Sequence, residues 1–544
     1  MYQGELLSYF PTNESIRGPR SGQTAVLNEI HKVIQSGKKL IILEGPVGCG
    51  KSAIAVTISE AFKDAHIITP RKSLQDQYYD DFGDRTVLMK GRGSYPCTFG
   101  VTPSAYKRVA VAIAKGRVTQ PSYGEANCSN APCKGSKVIY NNCVGVTGEC
   151  PYTLAIETAQ DSPAIIHNLH SFIYQTAYAE KFQKRQVLII DEAHEISGTI
   201  RDFITRKFAV HIPVQEGDRP QVTNDIDSWA NFFSEDRFVP VMSRGEIHQK
   251  AMDPDWVTPI EEYTERVLVL RAQKDYYKEK FSVKATINMV GTEEISTTFE
   301  FVPANLGSAP RDLLFNYGEY VILMSGTVYG KETFCRELGI DPDSAHYIRI
   351  SSTFPKDNRP IYCKPEYQVD TSFKCWNDNF SEMIQKMSEI MSIFSDAKGL
   401  IHAPSYDAAQ QIVKALPGSR AVTHTSRDFQ HNLKDFYDSP EPLVFVSPVC
   451  QQGVDFKDDR ARFQIVTRVP YLNTSDEFVK YKVENDFMWY NAQALIVWGQ
   501  QLGRINRSEG DYGATFLMDT RFNSFIRKNS KVIPKWVKEA IIYK

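Results

Sequence analysis

No run of this 544-residue chain approaches the roughly 20 consecutive apolar residues that a membrane-crossing helix needs, and its first residues hold no apolar segment of the kind a secretory leader uses. Net charge is nearly absent as well. The 63 Lys and Arg against 65 Asp and Glu leave −2, so bulk attraction to nucleic acid is excluded, and any such binding has to come from local basic surface. Internal repeats and low-complexity tracts are also missing. These absences lead us to expect a cytoplasmic, globular chain that does not engage a membrane. Thiols are kept reduced in that compartment, so the ten cysteines call for a purpose other than disulfides. Length excludes a single core and suggests about three or four domains.

What is present starts with Gly45-Pro46-Val47-Gly48-Cys49-Gly50-Lys51-Ser52. The apolar run Leu40–Leu43 before it reads as a buried strand and Ala53–Val56 after it as a helix, the context that a phosphate-binding Walker A loop requires. Gly45, Gly48 and Gly50 let the backbone curl so that successive N–H groups converge, and the helix N-terminus adds its positive dipole end. Lys51 then reaches the β- and γ-phosphates of ATP and the Ser52 hydroxyl sits on Mg²⁺. Downstream, the strand Val187–Ile190 runs into Asp191-Glu192-Ala193-His194. An acid at the carboxyl end of such a strand projects into the ligand crevice. Asp191 is expected to hold Mg²⁺ and Glu192 to orient and deprotonate the attacking water.

Far along the chain stands Gln500-Gln501-Leu502-Gly503-Arg504-Ile505-Asn506-Arg507. The i, i+3 spacing of Arg504 and Arg507 places both on one face of a helix, and permanently charged guanidinium groups suit the charge that spreads over a γ-phosphate in transfer. A phosphate grip in one half and these arginines in the other put ATP between two units, and hydrolysis removes the bridge. That geometry is a motor's rather than a metabolic kinase's.

Composition divides the chain. Residues 1–90 alternate strand-like and helical runs, whereas 91–155 are rich in Gly, Asn, Pro, Ser and Cys and poor in apolar runs, so a metal or disulfides would have to replace the missing core. The α/β pattern returns near Ile165. Residues 206–304 read as a helical module with a small β element near Val283–Phe301, and a second α/β unit follows from 331.

Several further strings, in this order, resemble the XPD/DinG family of iron–sulfur helicases in superfamily 2. Arg20–Gln23 is similar to the adenine-reading Q motif, with Gln23 as base contact. Thr69–Gln77 resembles motif Ia, and Lys90–Cys97 resembles the lead-in to the first cluster cysteine. Cys150-Pro151-Tyr152 and Ile165–His170 resemble the stretch from the last cluster cysteine to an Asn-His motif. Met324–Thr327, His402–Tyr406 and Gln452–Phe456 are similar to motifs III, IV and V, and Gln500–Arg507 to motif VI. The resemblance adds Gly453, Asp455 and Gln500 to the expected nucleotide site.

Its implied fold is α/β: two RecA-like P-loop domains, the first interrupted by a cysteine-rich iron–sulfur insertion and a short arch-like insertion. The expected boundaries are 1–90 plus 156–205 plus 305–330 for the first RecA-like domain and 91–155 for the iron–sulfur domain. The arch takes 206–304 and the second RecA-like domain 331–544. The implied activity is ATP-driven 5′-to-3′ translocation by a monomer on single-stranded DNA and on tailed or branched duplexes.

A 4Fe–4S cluster takes four thiolates, and this region offers five: Cys97, Cys128, Cys133, Cys143 and Cys150. The family flanks anchor Cys97 and Cys150; Cys128 and Cys133 are the chosen middle pair, with Cys143 the alternate. Spacing by itself leaves a structural zinc site equally open, and the resemblance favours iron–sulfur. For the nucleic-acid path, Arg71, Lys72, Lys90 and Arg92 form a basic grouping, and Tyr78, Tyr79, Tyr95 and Phe99 are candidates for stacking on bases if they are not core.

Overall fold

The computed structural model describes residues 4–12, 16, 18–46, 48–97, 127–128, 150–220, 225–252, 257–272, 274–277, 281–290, 292–450, 454, 456–506 and 510–543. Cys133, Cys143, Phe99, Gly453, Asp455 and Arg507 therefore lie outside the described residues.

Near-continuous Ile, Leu and Val runs, buried on both faces, make parallel sheets. In the first unit these are β1 (Leu40–Glu44), β2 (Ala65–Thr69), β3 (Val87–Met89), β4 (Ala164–Asn168) and β5 (Arg185–Ile190). After an insertion come β9 (Gly318–Ser325) and β10 (Ala345–Arg349). They form a seven-stranded parallel sheet in the order β10-β1-β9-β5-β2-β4-β3. Helices α1 (Ser21–Gln35), α2 (Lys51–Phe62) and α3 (Lys72–Phe82) are the first three. On one face Val26, Ile30, Ile54 and Ile58, from α1 and α2, join Ile41, Ile67 and Ile189 of the sheet in one core.

The insertion is a three-stranded antiparallel sheet in the order β6-β8-β7, with β6 at Arg206–Val210, β7 at Phe281–Val290 and β8 at Glu293–Pro303. Its core is aromatic: Trp229, Phe232 and Phe233 of the helix Ile226–Phe233 pack on Phe208, Phe299 and Phe301.

The second unit has its own seven-stranded parallel sheet in the order β13-β14-β12-β15-β16-β11-β17. Its strands are β11 (Ile361–Tyr362), β12 (Gly399–His402), β13 (Ala421–Thr423), β14 (Val444–Ser447), β15 (Phe463–Val466), β16 (Ala514–Leu517) and β17 (Ile541–Ile542). The expected boundary at 331 needs correcting, because β10 pairs with β1 in the first sheet. Its partly exposed side chains suit an edge strand and carry no apolar run to reveal it.

The long helix Phe487–Leu502 of the second unit packs on the first. A Cβ added at Gly499 would collide with Thr327 and the Tyr329 hydroxyl, so only glycine allows that approach. Arg336 of the first unit pairs with Asp486 at 2.8 Å, and the buried Lys482 ammonium lies 3.4 Å from Glu337. Among the described residues, no helix is long and apolar enough to cross a membrane.

Candidate active site

Register brings three strand ends together. Glu44 of β1 pairs with Ser325 of β9, and Ile190 of β5 pairs with Leu323. Gly45, Gly326 and Asp191 therefore leave the same carboxyl edge, and the Gly45 N–H donates to the Ser325 carbonyl at 2.9 Å. Gly48 and Gly50 have φ of 78° and 79°, left-handed values that L side chains rarely adopt. The loop closes on itself, with the buried Lys51 ammonium donating to the Gly45 carbonyl at 3.2 Å. Gln23 is buried beneath it: its amide donates to the Gly50 carbonyl at 3.2 Å and its Oε1 accepts from the Arg20 N–H at 2.8 Å. Each end of that carboxamide keeps one further hydrogen-bonding capacity.

Asp191 is buried, and its Oδ2 accepts from the Tyr78 hydroxyl at 2.9 Å. The Ser52 hydroxyl also bonds that Tyr78 oxygen. Tyr78 is thus a buried strut joining the two expected magnesium oxygens, which corrects its reading as a base-stacking candidate. Burial and the neighbouring Glu192 charge push the Asp191 carboxyl up. Glu192 goes the other way. Burial works to raise it, but the charges of Lys51, Arg504 and Arg71, and of His194 when it is protonated, more than offset that and hold it below the usual range. Its backbone is left-handed, φ 50° and ψ 45°, a strained conformation for a non-glycine residue.

The decisive point is where those charges come from. Lys51 belongs to the first unit and Arg504 to the second, and both act on one half-buried carboxylate. His194 makes a direct bridge between the units. Burial, the largest influence, lowers its affinity for protons, which favours the neutral ring. The Gln500 amide donates to Nε2, leaving the proton on Nδ1, which faces the Ser325 hydroxyl at 2.9 Å and Glu192 at 3.3 Å. Gln500 Oε1 is buried without a partner among the described residues.

Arg504 departs from the sequence expectation. The helix ends at Leu502 with Gly503 as its cap, so Arg504 lies in the turn beyond rather than on a helical face. Backbone carbonyls aim it instead: Nε donates to Gln500 at 2.9 Å and Nη1 to Val454 at 2.6 Å.

Sequence reasoning assigned no role to Tyr78 as a strut, to His194 as a bridge, or to Glu44. The last is a buried carboxylate that accepts from the Val328 and Tyr329 N–H groups and from Arg349, fixing the loop that meets Gly499. Only His194 carried a local signal, as the fourth residue of the Asp-Glu-Ala-His string.

Around the cysteine-rich segment, Cys97 and Cys128 are buried and Cys150 is half-buried. Pro96 bridges to Asn127, and Cys128 N–H donates to the Tyr95 carbonyl at 2.9 Å. Burial opposes ionisation of Cys150, yet N–H groups of Tyr152 and Thr153 and a bond to the Cys128 thiol lower its pKa overall. Among the described residues, no three or more His, Cys, Asp or Glu side chains are grouped to hold a metal ion. Of the expected basic grouping, Arg71 pairs with Glu195, and Lys90 with Asp76 at 2.7 Å.

Residues 17–212 match the family described as Type III restriction enzyme, res subunit, and residues 387–540 match the Helicase C-terminal domain. The regulator of telomere elongation helicase 1 homolog of Drosophila erecta is 27% identical over 288 residues, 46% of this chain and 28% of that protein. The general transcription and DNA repair factor IIH helicase subunit XPD of Dictyostelium discoideum is 23% identical over 282 residues, 44% of this chain and 34% of that one. This chain thus spans about a third or less of the length of these relatives. A solved XPD helicase shares the fold at TM-score 0.60 and 15% identity, with 96% of this chain and 99% of that one covered. Two helicase-family matches in this order, these relatives and that fold make the chain similar to the XPD/DinG-like helicases of superfamily 2.

Proposed function

We propose that this chain is an ATP-dependent DNA helicase that moves 5′ to 3′ along single-stranded DNA and opens tailed or branched duplexes. The observation that carries this reading is the convergence of Lys51 from one unit and Arg504 and Gln500 from the other on Glu192 and His194. The loop N–H groups and Lys51 bind the phosphates of ATP, and Gln23 holds the loop in shape beside the base. Glu192, kept ionised by surrounding cations, takes a proton from the attacking water, and the free Oε1 capacity of Gln500 helps orient that water. Arg504 stabilises the charge on the γ-phosphate; Arg507, Gly453 and Asp455 are assigned to the nucleotide site by their motifs. A carboxylate and a hydroxyl joined through Tyr78 are hard oxygen ligands that fit Mg²⁺, so Asp191 and Ser52 would hold it and it would neutralise phosphate charge. Loss of the γ-phosphate releases the link between the units.

Steady-state ATPase with and without single strands, followed by strand separation on 5′-tailed and 3′-tailed duplexes, tests this. Strong stimulation and opening of the 5′-tailed substrate are expected. Stimulation without separation would favour an ATPase that clamps or remodels nucleoprotein complexes, and opening of only the 3′-tailed duplex would reverse the polarity.

Tyr78→Phe keeps the ring in its buried slot and removes the hydroxyl from Asp191 and Ser52. A hydrogen bond to a charged group is worth about 1.5–3 kcal/mol, so the Mg²⁺ concentration for half-maximal ATPase should rise by about tenfold or more. An unchanged magnesium titration would remove Tyr78 from the site.

The same reading gives the cysteine-rich region a 4Fe–4S cluster held by Cys97, Cys128, Cys133 and Cys150, with Cys143 the alternate. Contact between the Cys128 and Cys150 thiols, with N–H groups favouring a Cys150 thiolate, fits such a ligand set. The cluster would supply a structural staple to a segment with little apolar core. Anaerobically purified protein should be brown with a broad visible-blue absorbance that Cys150→Ala abolishes. A colourless protein carrying stoichiometric zinc would overturn the iron assignment.

A further inference from the structure

Of the rings suggested by the motifs, only Tyr79 is exposed among the described residues, at 48%. Tyr78 is buried, and Tyr95 packs against Tyr152 with its hydroxyl accepting from the Lys90 N–H. A different set forms a ladder. The short helix Leu169–Ile173, following β4, passes into a π-helical turn at Tyr174–Tyr178. That wider turn lays Tyr174 alongside Tyr178, with centroids 6.2 Å apart and planes 26° apart. Tyr178 lies near-parallel to Phe203 at 6.3 Å and 18°, and Phe203 faces His170 at 5.3 Å and 32°. Tyr174 is 61% exposed and Tyr178 50%. Packing inside the fold does not explain large rings left this wet in register, and π-turns recur at functional sites.

The ladder is attached to the catalytic edge and to both insertions. Phe203 stands on the helix Ile196–Ile204, which begins directly after the Asp191–Glu195 segment and leads into β6. Gln175, in the same π-turn, donates to the Lys90 carbonyl at 3.4 Å and the Tyr152 hydroxyl at 3.5 Å, on the segments that lead to Cys97 and from Cys150. Arg206 donates to the Phe203 carbonyl at 2.9 Å. Local charge is only slightly basic: Lys181, Lys184 and Arg206 stand against Glu180 and Asp202.

We propose that Tyr174 and Tyr178 are a base-stacking platform for single-stranded nucleic acid, continued by Phe203 and His170. The proposal rests on the reading of the chain as a strand-tracking ATPase and adds residues that its motifs do not supply. Parallel ring faces open to solvent match the one surface common to all bases, so recognition there is indifferent to sequence. Because the charge balance is weak, attraction comes from the ring faces, with phosphate contact left to other cations.

The test uses the full chain and two probes: a fluorescein-labelled oligo-dT for anisotropy, and the same strand with 2-aminopurine for stacking. Each of Tyr174→Ala and Tyr178→Ala should weaken binding by roughly tenfold, in line with measured base–aromatic stacking, and the pair by about a hundredfold. The slope of log K against log salt should stay at its wild-type value, since no phosphate contact is removed. Tyr174→Phe with Tyr178→Phe keeps the π faces, so affinity and 2-aminopurine quenching should remain. The proposal is overturned if the double alanine variant binds as the wild type does, as it would if the rings served a protein partner. Loss of affinity in the double phenylalanine variant equal to that in the alanine pair overturns it too. A wild-type chain that binds no single strand would instead sink the functional reading beneath it.

Discussion

Arg504→Ala should lower DNA-stimulated ATP turnover by roughly 10³-fold or more, the lower end of what such an arginine contributes, or about 4 kcal/mol of barrier. Nucleotide binding should change far less, because the phosphate cradle proposed at residues 45–52 lies in the other unit. The size of the effect follows from how the side chain is held. Carbonyls of Gln500 and Val454 aim the guanidinium before nucleotide arrives, so its orientation is already fixed when charge develops on the γ-phosphate. Arg504→Lys should rescue little, since a lysine ammonium lacks the planar fork that both carbonyls and a phosphate use. Steady-state rates on saturating single strand, paired with equilibrium binding of a fluorescent ATP analogue, separate the two parameters. Turnover within tenfold of wild type would detach Arg504 from chemistry and leave it an interdomain contact.

Much of the site was legible because its parts are local. A strand, a glycine-rich turn and a helix start are contiguous in 40–56, and a strand followed by two acids is contiguous in 187–192; each needs only its neighbours to be read. The pieces that escaped depend on distance or on side-chain direction. Tyr78 sits on α3 among residues that read as a nucleic-acid grip, and only the folded chain turns its hydroxyl onto Asp191, 113 positions away. The spacing of Arg504 and Arg507 implied a continuous helix, but Gly503 ends it one residue early, and backbone carbonyls replace helical geometry as the aiming device. β10 escaped because edge strands need bury little, so its Ala-His-Tyr-Ile-Arg sequence lacks the apolar run that announces β1 or β5. The Tyr174–Tyr178 ladder escaped for a related reason. Tyrosines four apart read as an ordinary helical face until the π-turn brings their planes nearly parallel.

Glu192→Gln separates nucleotide binding from hydrolysis most sharply. The substitution keeps shape and removes a carboxylate on which cations of both units act. General bases contribute about 10²–10⁴-fold, so the turnover number should fall within that range while ATP still binds. A second consequence comes from electrostatics. Glu192 partly balances Lys51, Arg504 and Arg71 across the cleft; once neutral, it leaves a more positive pocket in which a tetraanionic nucleotide is held more tightly. The variant should therefore trap ATP between the units and lock the cleft closed. Single-turnover hydrolysis and nucleotide dissociation rates measured on the same protein are the readouts: slow chemistry with slower ATP release is the expected pair. Hydrolysis at wild-type rate would deny Glu192 the base's role. Faster ATP release at reduced turnover would mean that the carboxylate contributes to binding the magnesium nucleotide rather than to activating water.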